Sequence, residues 1–386
     1  MGKRIAILGS TGSIGTSALE VISALGSGYE VVALSARDNI ELLERQCRQF
    51  RPKVAAVANP HKHRAFQTAM KGFPGRILSG PEGLVEIASL PEVDIVLTAV
   101  VGAAGLPAVL AAARCGKTLA IANKEPLVVA GKLLTETARA GGATILPVDS
   151  EHSAIFQALQ AGRHEEIGRI ILTASGGPFR GATAEQMREV TVEQALNHPT
   201  WNMGPKITID CATMMNKALE IIEAVWLFNV PVDKIAVLVH PESIVHSMVE
   251  FIDGSVVAQL GAPDMKLPIQ YALTWPNRCR GAGTRLRLEE LGRLSFEPPD
   301  RRVFRSLDLA YEAARRGGSA PVVFNAANEV AVEEFLAGRI RFPMITELVE
   351  DCLNKLPGGD AATLDEILEV DRQTRRTARE TIRQTA

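Results

Sequence analysis

Gly9-Ser10-Thr11-Gly12-Ser13-Ile14-Gly15 follows the apolar run Arg4–Leu8 and opens the helical pattern Ile14–Ala24. A glycine turn between a strand and a helix places free backbone N–H groups and the positive end of a helix dipole where a pyrophosphate can sit. The spacing is GxxGxxG, not the strict GxGxxG dinucleotide form, so a tight βα turn without a ligand is the alternative. Context favours the ligand: the turn follows the first strand and leads into further β-α units. Tyr29–Ser35, Val54–Ala58, Asp94–Ala99, Thr118–Ala122 and Thr144–Val148 read as strands, with helical patterns such as Ile40–Gln49 and Leu106–Cys115 between them. Nearly continuous apolar runs are what strands buried on both faces require. The pattern predicts an α/β fold with a Rossmann-like, doubly wound parallel sheet.

At 386 residues the chain is long enough for two or three domains. With 46% hydrophobic and 22% charged residues it has a globular composition, which excludes a disordered or collagenous protein. Lys and Arg number 42 against 44 Asp and Glu, a net charge of −2, so no electrostatic case exists for nucleic acid or an anionic membrane. The five cysteines, at 47, 115, 211, 279 and 352, form no CxxC pair and have no zinc spacing. Such a dispersed, odd set predicts reduced thiols in a cytoplasmic protein. MGKRIAILGSTG runs straight into a strand and does not read as a signal peptide. No apolar run approaches the roughly 20 residues of a membrane span.

Beyond residue 150 the pattern changes. Ile167–Thr173, Lys206–Asp210 and Ile235–Val239 read as strands, as do Ser247–Phe251 and Ser255–Leu260, joined by an Asp253-Gly254 hairpin turn. Ala212–Leu227 reads as one helix, with Leu219, Ile222 and Trp226 on one face. This predicts an α+β domain on a mixed sheet. Pro276–Gly283 and Glu297–Arg302 read as linker, and Val303–Arg316, Asn325–Ala337, Met344–Leu356 and Leu364–Ile382 as a small C-terminal helical domain. The expected boundaries are 1–149, 150–280, a linker over 281–302, and 303–386.

Several clusters carry chemistry. The second strand ends in Ser35-Ala36-Arg37-Asp38-Asn39, where an acid selects NAD and a base accommodates the phosphate of NADP; Arg37 and Asp38 pull in opposite directions, and Asp38 or Asn39 could simply cap the next helix. Asp149 and Glu151 in Pro147-Val148-Asp149-Ser150-Glu151-His152 lie at a strand end, two apart, a spacing that faces both carboxylates one way. Oxygen donors without Cys or His suit Mg²⁺ or Mn²⁺; the alternative is a helix cap with a first-turn acid. Asn216, Lys217 and Glu220 share a helix face, either a charged surface or a phosphate grip with a third carboxylate. Lys124 in Asn123-Lys124-Glu125-Pro126 could neutralise an oxyanion or sit in an ordinary loop. Ala174-Ser175-Gly176-Gly177 reads as a phosphate clamp or a plain turn. The irregular stretch around His198 and Trp201 suggests a lid over a ligand, unless Trp201 merely pins the loop. His61 and His63 read as surface residues.

In order, GSTGSIG at 9–15, ANKEPLV at 122–128, PVDSEHSAIFQ at 147–157, TASGGPF at 173–179, HPTWNMG at 198–204, ATMMNKALE at 212–220, HPESIVHSMV at 240–249 and GAPDM at 261–265 resemble the 1-deoxy-D-xylulose 5-phosphate reductoisomerase family over essentially the whole chain. The resemblance implies conversion of 1-deoxy-D-xylulose 5-phosphate into 2-C-methyl-D-erythritol 4-phosphate, the committed step of non-mevalonate isoprenoid synthesis. It implies NADPH and Mg²⁺, Mn²⁺ or Co²⁺ as cofactors, fosmidomycin as an inhibitor, and a homodimer built through the central domain. It further implies that Asp149, Glu151 and Glu220 ligate the metal. Lys124, Ser150, Ser175, His198, Asn216 and Lys217 would contact substrate, with Ser243, His246 and Met265 lining the pocket and Trp201 and Met203 in the lid. Thr11, Gly12, Ser13, Ile14, Asn39, Asn123, Glu125 and Gly204 would belong to the NADPH site, beside the candidate Arg37. The implied reaction is a retro-aldol and aldol rearrangement at a metal-chelated ketol, followed by hydride transfer, with a lid retaining the small fragments.

Two positions depart from the family pattern. Cys211 stands where the family usually has a phosphate-binding serine, and Arg37-Asp38 replaces a small residue followed by a basic or polar one. Two rival readings are a dehydrogenase of another sugar phosphate and a catalytically silent nucleotide sensor. The first leaves the three acids and the lid without a role; the second expects a broken acid triad.

Overall fold

The structure, a computed structural model, describes residues 2–201, 203–356 and 358–385; Asn202, inside the motif at 198–204, lies outside the described residues. Seven short runs pair as one parallel sheet: β1 (Lys3–Leu8), β2 (Tyr29–Ala36), β3 (Val54–Val57), β4 (Arg76–Ser79), β5 (Ile95–Thr98), β6 (Thr118–Ile121) and β7 (Thr144–Pro147). Their order is β4-β3-β2-β1-β5-β6-β7. Ile5, Ala6, Ile7 and Leu8 are fully buried, as a central strand covered on both faces must be. The order reverses between β1 and β5, which opens a crevice beyond their C-terminal ends. Helices enter this layer with local caps: the Asn39 side chain accepts from Leu42 N–H to start Ile40–Phe50, and Asn59 accepts from His61 N–H ahead of Pro60–Ala69.

The chain divides into two compact units, one of Met1–Pro126, Leu134–Ser153 and Asp264–Thr284, the other of Leu127–Leu133, Ala154–Pro263 and Arg285–Ala386. The second contains a mixed sheet of order β11-β10-β8-β9, from β8 (Ile167–Ala174), β9 (Ile235–Val239), β10 (Val245–Phe251) and β11 (Val256–Leu260). β8 and β9 run parallel, and β10 is antiparallel to β8 and β11. Gly254, at φ +86°, makes the tight turn of the β10–β11 hairpin that its Asp-Gly sequence predicts. C-terminal helices Ser306–Arg316, Ala320–Leu336, Met344–Lys355 and Leu364–Thr385 pack against one another.

Two local expectations are overturned, and one strand, β4, goes unpredicted. Lys206–Asp210 is not a strand but part of a helix, Pro205–Ala212; Pro205 at its first turn and the burial of Thr208, Ile209 and Asp210 outweigh the β-branched alternation. The helix expected over Ala212–Leu227 is broken, because Met214 takes φ +58° and a new helix runs Met215–Phe228. Strand β4, at the sheet edge, has an exposed start and lacks the apolar run that marks its neighbours.

The helix Glu125–Gly141 is kinked at Ala130, and its segment Leu127–Leu133, part of the second unit, brings Gly131 against the indole of Trp226. A Cβ at Gly131 would lie 2.1 Å from that ring. Gly131→Ala should therefore lower the unfolding free energy by about 1–3 kcal/mol. Gly28→Ala, where a Cβ meets nothing within 4 Å, should change it by less than about 0.5 kcal/mol. Urea denaturation of both variants measures the difference.

Candidate functional site

In the first unit the candidate residues leave one edge of the sheet. The register pairs Leu8 with Thr98, Thr98 with Ile121 and Ile121 with Pro147, so the loops after β1, β5, β6 and β7 begin side by side. The glycine turn is tied to the neighbouring strand: Gly9 N–H donates to the Ser35 carbonyl (3.1 Å) and to Ser35 Oγ (3.1 Å), and Ser10 N–H to the same carbonyl (2.7 Å). Gly9 has φ +86°, and a Cβ on Gly15 would sit 2.4 Å from the Gly9 carbonyl oxygen, so the turn closes only without side chains. Thr11 and Ile14 are half-buried, and Gly12 and Ser13 are exposed at the mouth of the helix. Arg37 and Asp38 form an exposed ion pair (3.2 Å), Asn59 Nδ2 donates to Asp38 (2.6 Å), and Asn39 is the helix cap. Asn123 Nδ2 donates to the Gly102 carbonyl (3.3 Å), while its buried Oδ1 accepts no hydrogen bond from the described residues, so a ligand donor could bond it.

The next loops carry charge. Lys124 Nζ lies 2.7 Å from Asp149 Oδ2, with the two side chains only 5% and 12% exposed. Burial opposes ionisation of Asp149, but the Lys124 ammonium and His152 outweigh it and hold the carboxyl well below the usual carboxylate range. Ser150 Oγ donates to Glu151 Oε2 (2.5 Å), and Glu151 N–H points to Asp149 Oδ1 (3.4 Å). Glu125 is buried in the first turn of the helix Lys124 leads into. Met265 precedes the helix Lys266–Thr274, which packs on the helix after the glycine turn.

The second unit assembles the remaining candidates. His198 Nδ1 accepts from Thr200 N–H (3.1 Å) and Trp201 N–H (3.0 Å). Its proton is therefore on Nε2, which reaches Ser175 Oγ at 3.1 Å. Burial lowers the His198 pKa and favours this neutral form. Gly177 N–H donates to Ser175 Oγ (3.2 Å), and a Cβ on Gly177 would lie 2.6 Å from the Cys211 carbonyl oxygen. The serine loop and Cys211 are thus neighbours. Asn216 Nδ2 donates to Glu220 Oε1 (2.6 Å), and Lys217 pairs with the other oxygen of Glu220, all on the helix face that sequence spacing predicts. Trp201 and His246 have ring centroids 6.5 Å apart. Ser243 takes φ +52° and donates its N–H to the His240 carbonyl (3.1 Å). Gly204 caps the helix Pro205–Ala212.

Sequence reading missed Gln46, which exchanges two hydrogen bonds with Ser10 of the glycine turn, Oγ to Oε1 at 2.7 Å and Nε2 to the carbonyl at 2.8 Å. The signal was present as a polar residue between Leu43 and Cys47 on the buried face of its helix. His152, fully buried beside Asp149, was also passed over.

Family models described as 1-deoxy-D-xylulose 5-phosphate reductoisomerase match residues 5–131, its C-terminal domain 145–228, and the DXP reductoisomerase C-terminal domain 260–377. A 1-deoxy-D-xylulose 5-phosphate reductoisomerase of Chloroherpeton thalassium is 53% identical over 374 residues, 97% of each chain. One of Trichlorobacter lovleyi is 52% identical over 378 residues, 98% of this chain and 97% of that one. A crystal structure of DOX-P reductoisomerase in complex with NADPH, fosmidomycin and magnesium superposes with a TM-score of 0.95 at 43% identity, covering 99% and 98% of the two chains. The Zymomonas mobilis enzyme in complex with NADPH gives 0.93 at 42% identity, covering 99% of each. Matched by these models and by relatives about half identical over nearly its whole length, the chain belongs to the 1-deoxy-D-xylulose 5-phosphate reductoisomerase family.

Proposed function

We infer that the protein converts 1-deoxy-D-xylulose 5-phosphate into 2-C-methyl-D-erythritol 4-phosphate, using NADPH and a divalent cation, in non-mevalonate isoprenoid synthesis. The observation that carries this reading is the full-length match to the family together with an intact set of reactive side chains. Asp149, Glu151 and Glu220 are the assigned ligands of one ion, and three carboxylates with no thiol suit Mg²⁺ or Mn²⁺, with Co²⁺ as an alternative. When bound, the cation supplies Lewis acidity toward the substrate's carbonyl and hydroxyl oxygens. Lys124 keeps Asp149 anionic and adds positive charge where negative charge develops on the substrate. Ser175, Cys211, Asn216 and Lys217 take the phosphate, and neutral His198 donates from Nε2. Ser150, Ser243, His246 and Met265 complete the substrate pocket, while Trp201 and Met203 exclude water from it. Thr11, Gly12, Ser13, Ile14, Arg37, Asn39, Asn123, Glu125 and Gly204 hold NADPH.

In functional terms, we assign NADPH binding to 1–149, chemistry and homodimer contact to 150–280, linkage to 281–302, and a covering helical domain to 303–386. The protein acts in the cytoplasm without membrane or nucleic acid. Among the described residues no helix is long and apolar enough to cross a membrane.

The direct test is NADPH oxidation by the purified protein. It should require both 1-deoxy-D-xylulose 5-phosphate and a divalent cation, yield stoichiometric methylerythritol phosphate, and stop in excess EDTA. Undiminished turnover in EDTA would refute the metal assignment.

Removing a group that only orients a ligand commonly costs 10–100-fold in metal affinity. Asp149→Asn, Glu151→Gln or Glu220→Gln, each removing an anionic ligand, should cost about 100-fold or more. NADPH affinity should change by less than about twofold, because the dinucleotide residues are distinct. Titration of each variant with Mn²⁺ and, separately, with NADPH measures both.

Asp38 neutralises the exposed Arg37 guanidinium. Asp38→Asn should free Arg37 for the 2′-phosphate and raise the preference for NADPH over NADH by about 0.2–1 kcal/mol, the range of an exposed pair. The ratio of kcat/KM values for the two cofactors reads this out.

A thiol donates weakly to an anionic oxygen, whereas a hydroxyl donates well. Cys211→Ser should lower the substrate KM by roughly two- to tenfold with kcat nearly unchanged, as expected for one added hydrogen bond. An unchanged or raised KM would show that residue 211 does not reach the phosphate.

A further inference from the structure

Met214 joins two helices at an unfavourable angle. Its φ of +58° lies in the left-handed region, where a residue other than glycine is strained and persists only if its surroundings over-determine it. Those surroundings come from the C-terminal helices. Asn328 Nδ2 donates to Asp210 Oδ1 at 2.9 Å, and Lys206 Nζ lies 2.6 Å from Asp210 Oδ2. Ser306 Oγ donates to the Thr213 carbonyl at 2.7 Å, one residue before the elbow. Asp210 is 1% exposed, and Asn328 and Ser306 are 0% exposed. The next residue, Glu329, is itself held by Arg375 (2.5 Å) and Asn325 (3.0 Å). Burying this much polarity in a helical layer is costly compared with packing apolar side chains there. It does, however, fix geometry in a way that non-directional apolar contacts do not.

What it fixes is the spacing of the phosphate residues. Cys211 precedes the elbow, and Asn216 and Lys217 follow it. The grip on Asp210 sets the first helix, the grip on the Thr213 carbonyl sets the turn, and together they determine where the second helix starts. We propose that Asp210, Asn328 and Ser306 are positioning residues for the substrate's phosphate, holding the elbow at Met214 so that Cys211 stays in register with Asn216 and Lys217. The proposal rests on the phosphate assignment made under the proposed function. It gives the C-terminal helices a role in substrate affinity although they supply none of the assigned phosphate residues.

The test uses the full-length enzyme and an exchange. Asn328→Asp sets two carboxylates against each other, whereas Asp210→Asn combined with Asn328→Asp restores one carboxylate facing one amide. Asn328→Asp should raise the KM for 1-deoxy-D-xylulose 5-phosphate by about tenfold or more, and the inhibition constant of inorganic phosphate in parallel, with kcat changed by less than about threefold. The double exchange should bring KM at least about threefold below that of Asn328→Asp, since the coupling lies between the pair, although it turns the Lys206–Asp210 ion pair into a contact with an amide. Ser306→Ala, the milder change, should raise KM by about threefold and leave the NADPH dissociation constant unmoved. If Asn328→Asp does not fold, Ser306→Ala and the double exchange decide. A fall in Tm with KM and phosphate inhibition unchanged, or a double exchange that fails to recover KM, overturns the proposal. An unsubstituted enzyme that never oxidises NADPH with substrate and metal overturns the proposed function instead.

Discussion

A buried ammonium beside a buried carboxylate governs the reactive edge of the first unit. Lys124 and Asp149 are 2.7 Å apart and nearly closed off from water. Neither charge is tolerable there alone, since an isolated buried charge neutralises itself through its pKa. The pair exists because β6 and β7 are parallel neighbours whose register, Ile121 opposite Pro147, releases the two following loops at the same level. Sheet topology thus becomes electrostatics. The Lys124 ammonium and His152 hold the Asp149 carboxyl well below the usual carboxylate range, and the low-dielectric setting strengthens the attraction within the pair.

The same economy of position recurs in the second unit, with backbone geometry as the constraint. His198 is fixed as the Nε2–H tautomer because two backbone N–H groups of its own loop occupy Nδ1. Its proton is therefore aimed at Ser175. Protonating Nδ1 would break both loop contacts, so the histidine's charge state and the shape of the segment from 198 to 201 are linked. The glycines at 176 and 177, both with positive φ, let the serine loop approach the Cys211 backbone. Lys217 and Glu220, 3% and 0% exposed, lie at adjacent positions on a helix wall and require one another for the same reason as Lys124 and Asp149.

A net charge of −2 gives no hint of two anionic ligands. Under the proposed function the chain meets them locally, through a helix N-terminus, a few lysines and backbone N–H groups. The departures from the family pattern fall on these local devices. Arg37 spends part of its charge on Asp38, and a thiol replaces a hydroxyl at 211. Under the proposed function both would alter the strength of a grip, and neither falls on the acids assigned to the metal.

The sequence by itself determined the parallel sheet, the mixed sheet with its Asp-Gly hairpin, the C-terminal helices and which polar groups share a helix face. Apolar runs, glycine turns and the i, i+3, i+4 spacing of Asn216, Lys217 and Glu220 are local patterns, and local patterns are legible in one dimension. The tertiary structure alone decided what depends on distant partners. Lys206–Asp210 alternates like a strand and yet is helical, because Pro205 starts a helix whose buried Asp210 finds Asn328 more than a hundred residues away. The break at Met214 has no glycine to announce it, since the bonds that hold it come from Ser306 and Asn328. Gln46 grips Ser10, and Lys124 meets Asp149, only because strands bring separate loops together. Local spacing encodes which groups exist; burial and long-range pairing decide their charge, tautomer and aim.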